Sequence, residues 1–246
     1  MINQTMQIAF SSPNREIVSK QRFMCLHRPK LVGVINVTPD SFSDGGRFQN
    51  QEDAIVSALR MEEQGADWID IGGESSGPGT ADVSLEEELD RVIPIIAGIR
   101  KRSEVWISVD TWKSEVAKQS ILAGADVIND VTALRKDPAL AQVIAEEKVP
   151  LVLMYSKDSK TRTTVKETSY TDVMISIKEF FKERILWSQL QGIASKQLIL
   201  DPGMGFFVSG NPRYSFQILR RLQELREWGY PLFVGTSRKS FLAQVS

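Results

Sequence analysis

An α/β barrel of the TIM (β/α)8 type is the fold this sequence predicts, and three observations predict it. From Leu31 onward short apolar runs alternate with longer stretches of helical period, with no low-complexity linker between them. The runs are continuous Val/Ile/Leu segments of the kind buried on both faces, as parallel strands under helices must be. Nearly every run is followed by a polar or small residue, so one end of the sheet carries a row of groups able to bind.

The strands are expected at Leu31–Asn36, Trp68–Ile71, Val105–Val109, Val127–Ile128, Leu151–Met154, Leu198–Leu200 and Leu232–Val234. Strand and helix in repetition demand parallel pairing with right-handed crossovers. An open doubly wound sheet meets the same pattern, but it spreads the strand-end residues along an edge. A barrel gathers Asn36, Gly72–Glu74, Asp110, Asn129, Tyr155, Asp201 and Ser237–Lys239 at one mouth, where such folds keep their chemistry.

The helix ends are well signed. Ser84 followed by Glu87 reads as a capping box, after which Leu85, Leu89, Val92, Ile93 and Ile96 form one stripe that Pro94 should bend. Val173, Ile177, Phe180 and Phe181 mark a helix that ends near Gly192. Asn211 with Pro212 is an N-cap followed by proline at the first helical position, feeding Phe216, Leu219, Leu222 and Leu225 until Gly229 stops the helix.

Residues 1–30 stand apart as an N-terminal extension or barrel cap, with 31–246 as the barrel domain. Arg15, Lys20, Arg22, Arg28 and Lys30 face Glu16 alone. A basic, acid-poor start is what an organelle transit peptide looks like, but it has no amphipathic stripe, and a short strand or hairpin capping the fold is the preferred reading.

Composition excludes several functions. With 246 residues, 42% hydrophobic, 25% charged and a net charge of -1, the chain has no global pull toward nucleic acid or an anionic membrane. No apolar run approaches the roughly 20 residues of a spanning helix. One cysteine, Cys25, leaves no internal disulfide and no thiolate metal cage, which fits a reducing, cytoplasmic setting. The single histidine, His27, also precedes the first barrel strand, so no Ser/His/Asp or Cys/His unit can assemble at the mouth. Small molecules are the expected partners, with a homodimer through the helical ring as the expected assembly.

The rim residues suit a flat, nitrogen-rich heterocycle. Asp110, Asn129 and Asp201 offer carboxylates and an amide from three strand ends, and Lys239 adds a flexible cation. The alternative for Asp110 and Asn129 singly is helix capping at a strand exit. The loop Asn36–Gly46 is rich in oxygen donors and carries Pro39 and Phe42, as a lid would, and Asn36 at its base can place an oxygen on Mg2+. The loop Gly72–Thr80 is glycine-rich with hydroxyls, so its backbone amides and Ser76 can reach a phosphate or carboxylate, although it matches neither a Walker A nor a dinucleotide fingerprint. What remains is positioning with electrostatic help to a leaving anion.

These residues resemble the dihydropteroate synthase family of pterin-binding barrels from Leu31 to Leu242. The match is carried by Asn36–Gly46, by Gly65–Gly79 (GADWIDIGGESSGPG), by Ser108–Thr111 with Ile128–Asp130, and by Asp201–Gly203 with Ser237–Ser240. The resemblance implies condensation of 6-hydroxymethyl-7,8-dihydropterin pyrophosphate with 4-aminobenzoate, assisted by Mg2+, in folate biosynthesis. It implies Lys239, Asp110 and Asp201 as catalytic residues, and Asp110, Asn129, Met154, Asp201, Phe206, Arg238 and Lys239 around the pterin. The aminobenzoate side would be Ser76, Pro78, Phe206, Ser237 and Lys239, the pyrophosphate contacts Asn36 and Ser76, and the metal ligand Asn36.

Three departures stand out. Gly77 stands where the family usually has arginine, Tyr155 where it often has histidine, and the sequence reaches Ser246 without an eighth βα unit or the family's closing Arg-x-His site. The last leads to the expectation of an unpaired gap between the first and seventh parallel strands. It also keeps two other readings open: a catalytically impaired pterin-binding module, and a folate-dependent methyltransferase barrel sharing Asp110, Asn129 and Asp201.

Overall fold

The computed structural model describes residues 5–10, 16–20, 22–37, 47–237 and 239–243; the side chains of 5–10, 47–50, 240 and 243 are not described. The strands are β1 (Thr5–Phe10), β2 (Glu16–Ser19), β3 (Arg22–Cys25), β4 (Lys30–Asn36), β5 (Trp68–Gly72), β6 (Trp106–Asp110), β7 (Val127–Asp130), β8 (Leu151–Met154), β9 (Leu198–Asp201) and β10 (Leu232–Val234). The helices are α1 (Arg47–Glu63), α2 (Leu85–Arg100), α3 (Ser114–Ala123), α4 (Ala139–Glu147), α5 (Val173–Leu190), α6 (Pro212–Arg220), α7 (Gln223–Arg226) and α8 (Ser240–Ala243).

The sheet closes in the order β1-β10-β9-β8-β7-β6-β5-β4. All seven expected parallel strands are present, and parallel pairing runs unbroken from β4 through β10. The expected gap is not there. β1 fills it, running antiparallel to both flanking strands, with Thr5 opposite Val34, Ala9 opposite Lys30 and Ile8 opposite Val234. Sequence reasoning looked for the eighth strand after the seventh, but an antiparallel strand from the other end of the chain satisfies the same backbone donors and acceptors.

Of the remaining N-terminal segment, β2 and β3 form a separate hairpin with Ile17 opposite Met24. Ile17, Met24 and Leu26 pack with Val32, Trp68, Trp106, Val127, Val152, Ile199 and Phe233 to fill the barrel interior near the strand starts. Asp126 fastens this plug. Its carboxylate meets Arg22 at 2.5 Å and Arg100 at 2.7 Å, and its carbonyl accepts from Ser19 Oγ at 2.6 Å. Cys25 and His27 lie in this region, Sγ to Nδ1 3.4 Å, away from the strand ends that carry the rim residues.

The larger apolar core lies between the barrel wall and the helices, with Ile69, Ile71, Ile95, Ile99, Ile107 and Phe181 among its fully buried members. The stretch expected as one helix from Pro212 to Gly229 is two, because Arg221 leaves helical geometry at φ -113° and ψ 15°. Its guanidinium spans Asp172 at 2.8 Å and Glu224 at 2.5 Å. Among the described residues no helix is long and apolar enough to cross a membrane.

Candidate functional site

Strand register sets the site. Asn36, Gly72, Asp110 and Asn129 are neighbours in a continuous row across β4, β5, β6 and β7, and Met154 pairs with Asp201 across β8 and β9. These are the last turns of strand before the chain leaves for the helices, so their side chains collect above the plug. Asn36, Asp110, Asn129, Met154 and Asp201 line a cleft of about 860 Å³ at the mouth, together with Lys239, Ser76 and the apolar Val34, Met204, Phe207 and Phe233.

Residues two apart on a strand point the same way. Trp68 faces the barrel interior, so Asp70 faces it one layer higher, directly under the cleft. Asp70 is 2% exposed and accepts from Ser108 Oγ and from Asn129 Nδ2 at 3.3 Å. Trp68 Nε1 donates to Ser108 Oγ at 2.7 Å, so one chain of hydrogen bonds runs from the plug to the cleft floor. With its amide nitrogen committed to Asp70, Asn129 is left with a buried Oδ1 that has no hydrogen-bond partner. An unpaired buried acceptor costs free energy until a ligand donor meets it.

The ionisable groups on the floor are strongly perturbed. Burial pushes the Asp110 carboxyl well above its ordinary range, and the carboxylates of Asp70, Glu88, Asp130 and Glu74 push it the same way. Asp201 is pushed up to about 7 by burial, against the pull of the Gly203 amide and of Lys239. Asp70 is also raised by burial. Lys239 is lowered by burial and held up by Asp201 and Asp110, and its Nζ lies 4.7 Å from the Phe207 ring centroid. Such a floor offers acceptors and exchangeable protons beside one cation, which matches a ligand edge rich in N–H donors.

After Asp201 the chain must turn under the next loop. Gly203 has φ +68° and donates its amide to Asp201 Oδ1 at 2.8 Å, and a Cβ there would stand 2.4 Å from the Tyr155 carbonyl oxygen. Only glycine fits both demands.

The loop after β5 forms one wall through Glu74, Ser75, Ser76, Gly77 and Thr80. Glu74 bonds Lys113 Nζ through Oε2 at 2.6 Å and Arg162 Nη2 through Oε1 at 2.7 Å. Lys113 also pairs with Glu88. Thr80 Oγ1 reaches the carbonyls of Ser75 at 2.8 Å and Gly77 at 2.9 Å.

Of the residues expected at the site, Asn36, Ser76, Asp110, Asn129, Met154, Asp201 and Lys239 line the cleft. Pro78 is exposed outside its lining, and Ser237 lies half-buried in the turn before Lys239, also outside it. Phe206 is not in the lining. Phe207 lines the cleft, while the Phe206 carbonyl is held by Lys157 Nζ at 2.6 Å and Thr163 Oγ1 at 2.7 Å. Arg238 and the loop residues 38–46, including Pro39 and Phe42, lie outside the described residues. Glu74, expected at the mouth, also lines the cleft, while sequence reasoning passed over Asp70 and Arg91, which line it too, and Arg162 behind them. Asp70 had a signal, a carboxylate inside the apolar run Trp68–Ile71; Arg162 had none.

Residues 32–246 match the family model described as pterin binding enzyme. The chain is 44% identical over 220 residues to a dihydropteroate synthase of Escherichia coli (strain K12), covering 89% of this chain and 77% of that protein. Among solved structures it is similar to a Xanthomonas albilineans dihydropteroate synthase with 4-aminobenzoic acid, at a TM-score of 0.85 and 40% identity, covering 96% of this chain and 82% of the other. The Xanthomonas albilineans enzyme in complex with 7,8-dihydropteroate matches with a TM-score of 0.81 and 39% identity, over 94% of this chain and 80% of that one.

Proposed function

This chain belongs to the pterin-binding enzyme family and, within it, to the dihydropteroate synthases, and from that membership and the geometry of the mouth we infer how it works. It condenses 6-hydroxymethyl-7,8-dihydropterin pyrophosphate with 4-aminobenzoate, giving 7,8-dihydropteroate and pyrophosphate for folate biosynthesis. The observation that carries the site assignment is the delivery of Asp110, Asn129, Asp201 and Lys239 from four elements to one cleft.

On this reading the pterin lies on the floor. Asp110 and Asp201 accept from its amino and ring N–H groups, the orphaned Asn129 Oδ1 takes a further N–H, and Lys239 donates to a ring oxygen or nitrogen. Met154 supplies apolar surface, and Phe207 takes the part assigned to Phe206. The reaction forms a C–N bond from the aminobenzoate nitrogen to the pterin methylene while the C–O bond to pyrophosphate breaks; the amine loses its proton. No side chain needs to act as nucleophile, so the chain's contribution is alignment, exclusion of water and a fixed electrostatic frame. Ser76 and the loop amides around it face the anionic groups.

Among the described residues no three His, Cys, Asp or Glu side chains form a metal cage. Asn36 Oδ1 is an oxygen donor at the mouth, close to the backbone of Gly72, and a single neutral oxygen suits Mg2+ that arrives on phosphate oxygens and keeps its waters. Bound there with Asn36, Mg2+ would neutralise the leaving pyrophosphate. We also take the protein to act in the cytoplasm, as a homodimer.

The test is pyrophosphate release with and without 4-aminobenzoate. A synthase depends on it, a methyltransferase barrel ignores it, and a binding module takes up pterin without turnover. Lys239→Met is expected to weaken pterin binding by at least about 2 kcal/mol, roughly 30-fold in Kd, because it strips the cation from two buried carboxyls. Unchanged affinity by calorimetry would refute the assignment.

A further inference from the structure

The cleft poses an electrostatic problem. Among the described residues its lining carries the carboxyls of Asp70, Glu74, Asp82, Glu87, Asp110 and Asp201 against two cations, Arg91 and Lys239. Yet on the reading above, on which this inference rests, both substrates bring negative charge. The floor acids are eased by burial, which favours their neutral forms, and by Lys239. Glu87 is paired with Arg91. Glu74 and Asp82, on the wall where the anionic groups enter, have a different remedy.

We propose that Arg162, which approaches the second rim loop from behind, is the specificity-determining residue that makes this wall tolerant of anions. It reaches across from the segment joining β8 to α5 and pairs with both Glu74 and Asp82, while Nε donates to Thr80 Oγ1 at 2.9 Å and Nη2 to the Ala81 carbonyl. Its side chain is 14% exposed and that of Glu74 is 9% exposed, so the pair is poorly screened. Lys113 cannot do this alone, because it already serves Glu88. Whatever proton Glu88 holds, Arg162 moves the wall one charge unit toward positive. The position is also built to take the load, since Thr80, on which Arg162 rests, ties off Ser75 and Gly77. Gly77 itself brings no cation to the wall. Arg162 is therefore a positioning and charge-masking residue, not one that touches the reacting atoms.

The experiment uses the full chain and inorganic pyrophosphate as probe, so that it does not require turnover. Calorimetry should show Arg162→Met weakening pyrophosphate binding about tenfold, an effect that shrinks with added salt. Arg162→Lys should stay within about threefold of the parent, and Glu74→Gln, which removes a negative charge from the wall, should bind pyrophosphate at least as tightly as the parent. The double variant Arg162→Met/Glu74→Gln should regain most of the loss, which a merely structural role for Arg162 would not allow. In turnover, Arg162→Met should raise KM for 4-aminobenzoate more than it lowers kcat. Equal pyrophosphate affinity in parent and Arg162→Met, no pyrophosphate binding by the parent, a tenfold loss in Glu74→Gln, or a double variant no better than the single one would each overturn the proposal. Lack of aminobenzoate-dependent turnover in the parent would instead overturn the synthase reading, whatever the pyrophosphate titrations gave.

Discussion

At the scale of single residues, the site is a place where stability is traded against binding. Asp201 shows the sign plainly. Its carboxyl titrates near 7 in the folded protein, against an ordinary 3.8, because burial disfavours the anion. The folded state therefore holds this proton more tightly than the unfolded one, and stability falls as pH rises from about 4 to about 7. Asp201→Asn removes that slope. In urea melts it should exceed the parent by on the order of a few kcal/mol at pH 7.5 and by only about 1 kcal/mol near pH 4.5, while losing pterin affinity. A parent whose advantage or deficit relative to the variant is the same at both pH values would contradict the assignment. Asp110, Asn129 and Asp201 were visible in the sequence because each follows an apolar run. Choosing between Phe206 and Phe207 was not possible there, since adjacent residues in a short turn face different ways and nothing in their chemistry says which faces inward.

Elements carry their own signals, and the local ones were the most readable. Ser84 caps α2 as expected, its Oγ accepting from the Glu87 amide at 3.1 Å. The Glu87 side chain, which a capping box would send back to the Ser84 amide, pairs instead with Arg91, one helical turn on. Ser84→Ala should cost about 1 kcal/mol, read as a lower urea midpoint with unchanged slope. A loss near zero would mean that water satisfies that amide equally well. The break at Arg221 was not legible, because the apolar stripe continues through Leu222 and Leu225. Two acids brought from elsewhere, Asp172 and Glu224, hold the guanidinium there.

For the whole molecule, the decisive feature is how the barrel closes. β1 is a central strand between β4 and β10, and Ile8 is paired on both sides, with Leu31 and with Val234. Ile8→Pro removes one donor and forces the ring into a paired strand, and should cost at least about 3 kcal/mol. Thermal melts would read the loss, and an unchanged midpoint would mean that β1 contributes little to closure. The mouth stands on that closed wall, since Gly235 and Lys239 leave from β10, the strand that β1 supports.

By itself the sequence determined the seven parallel strands, the starts of the helices at Ser84 and Asn211, the family and most of the residues that gather at the cleft floor, because hydrophobic period, caps and strand-end residues are local and repeat in chain order. Only the tertiary structure decided what closes the barrel, that Asp70 lies beneath Asn129, and that Arg162 meets Glu74. Those are encounters between residues 21 to 226 positions apart, such as Ala9 with Lys30, Glu74 with Arg162 or Ile8 with Val234. They arise from closing a ring, and a linear pattern does not record which distant partners a closed ring brings together.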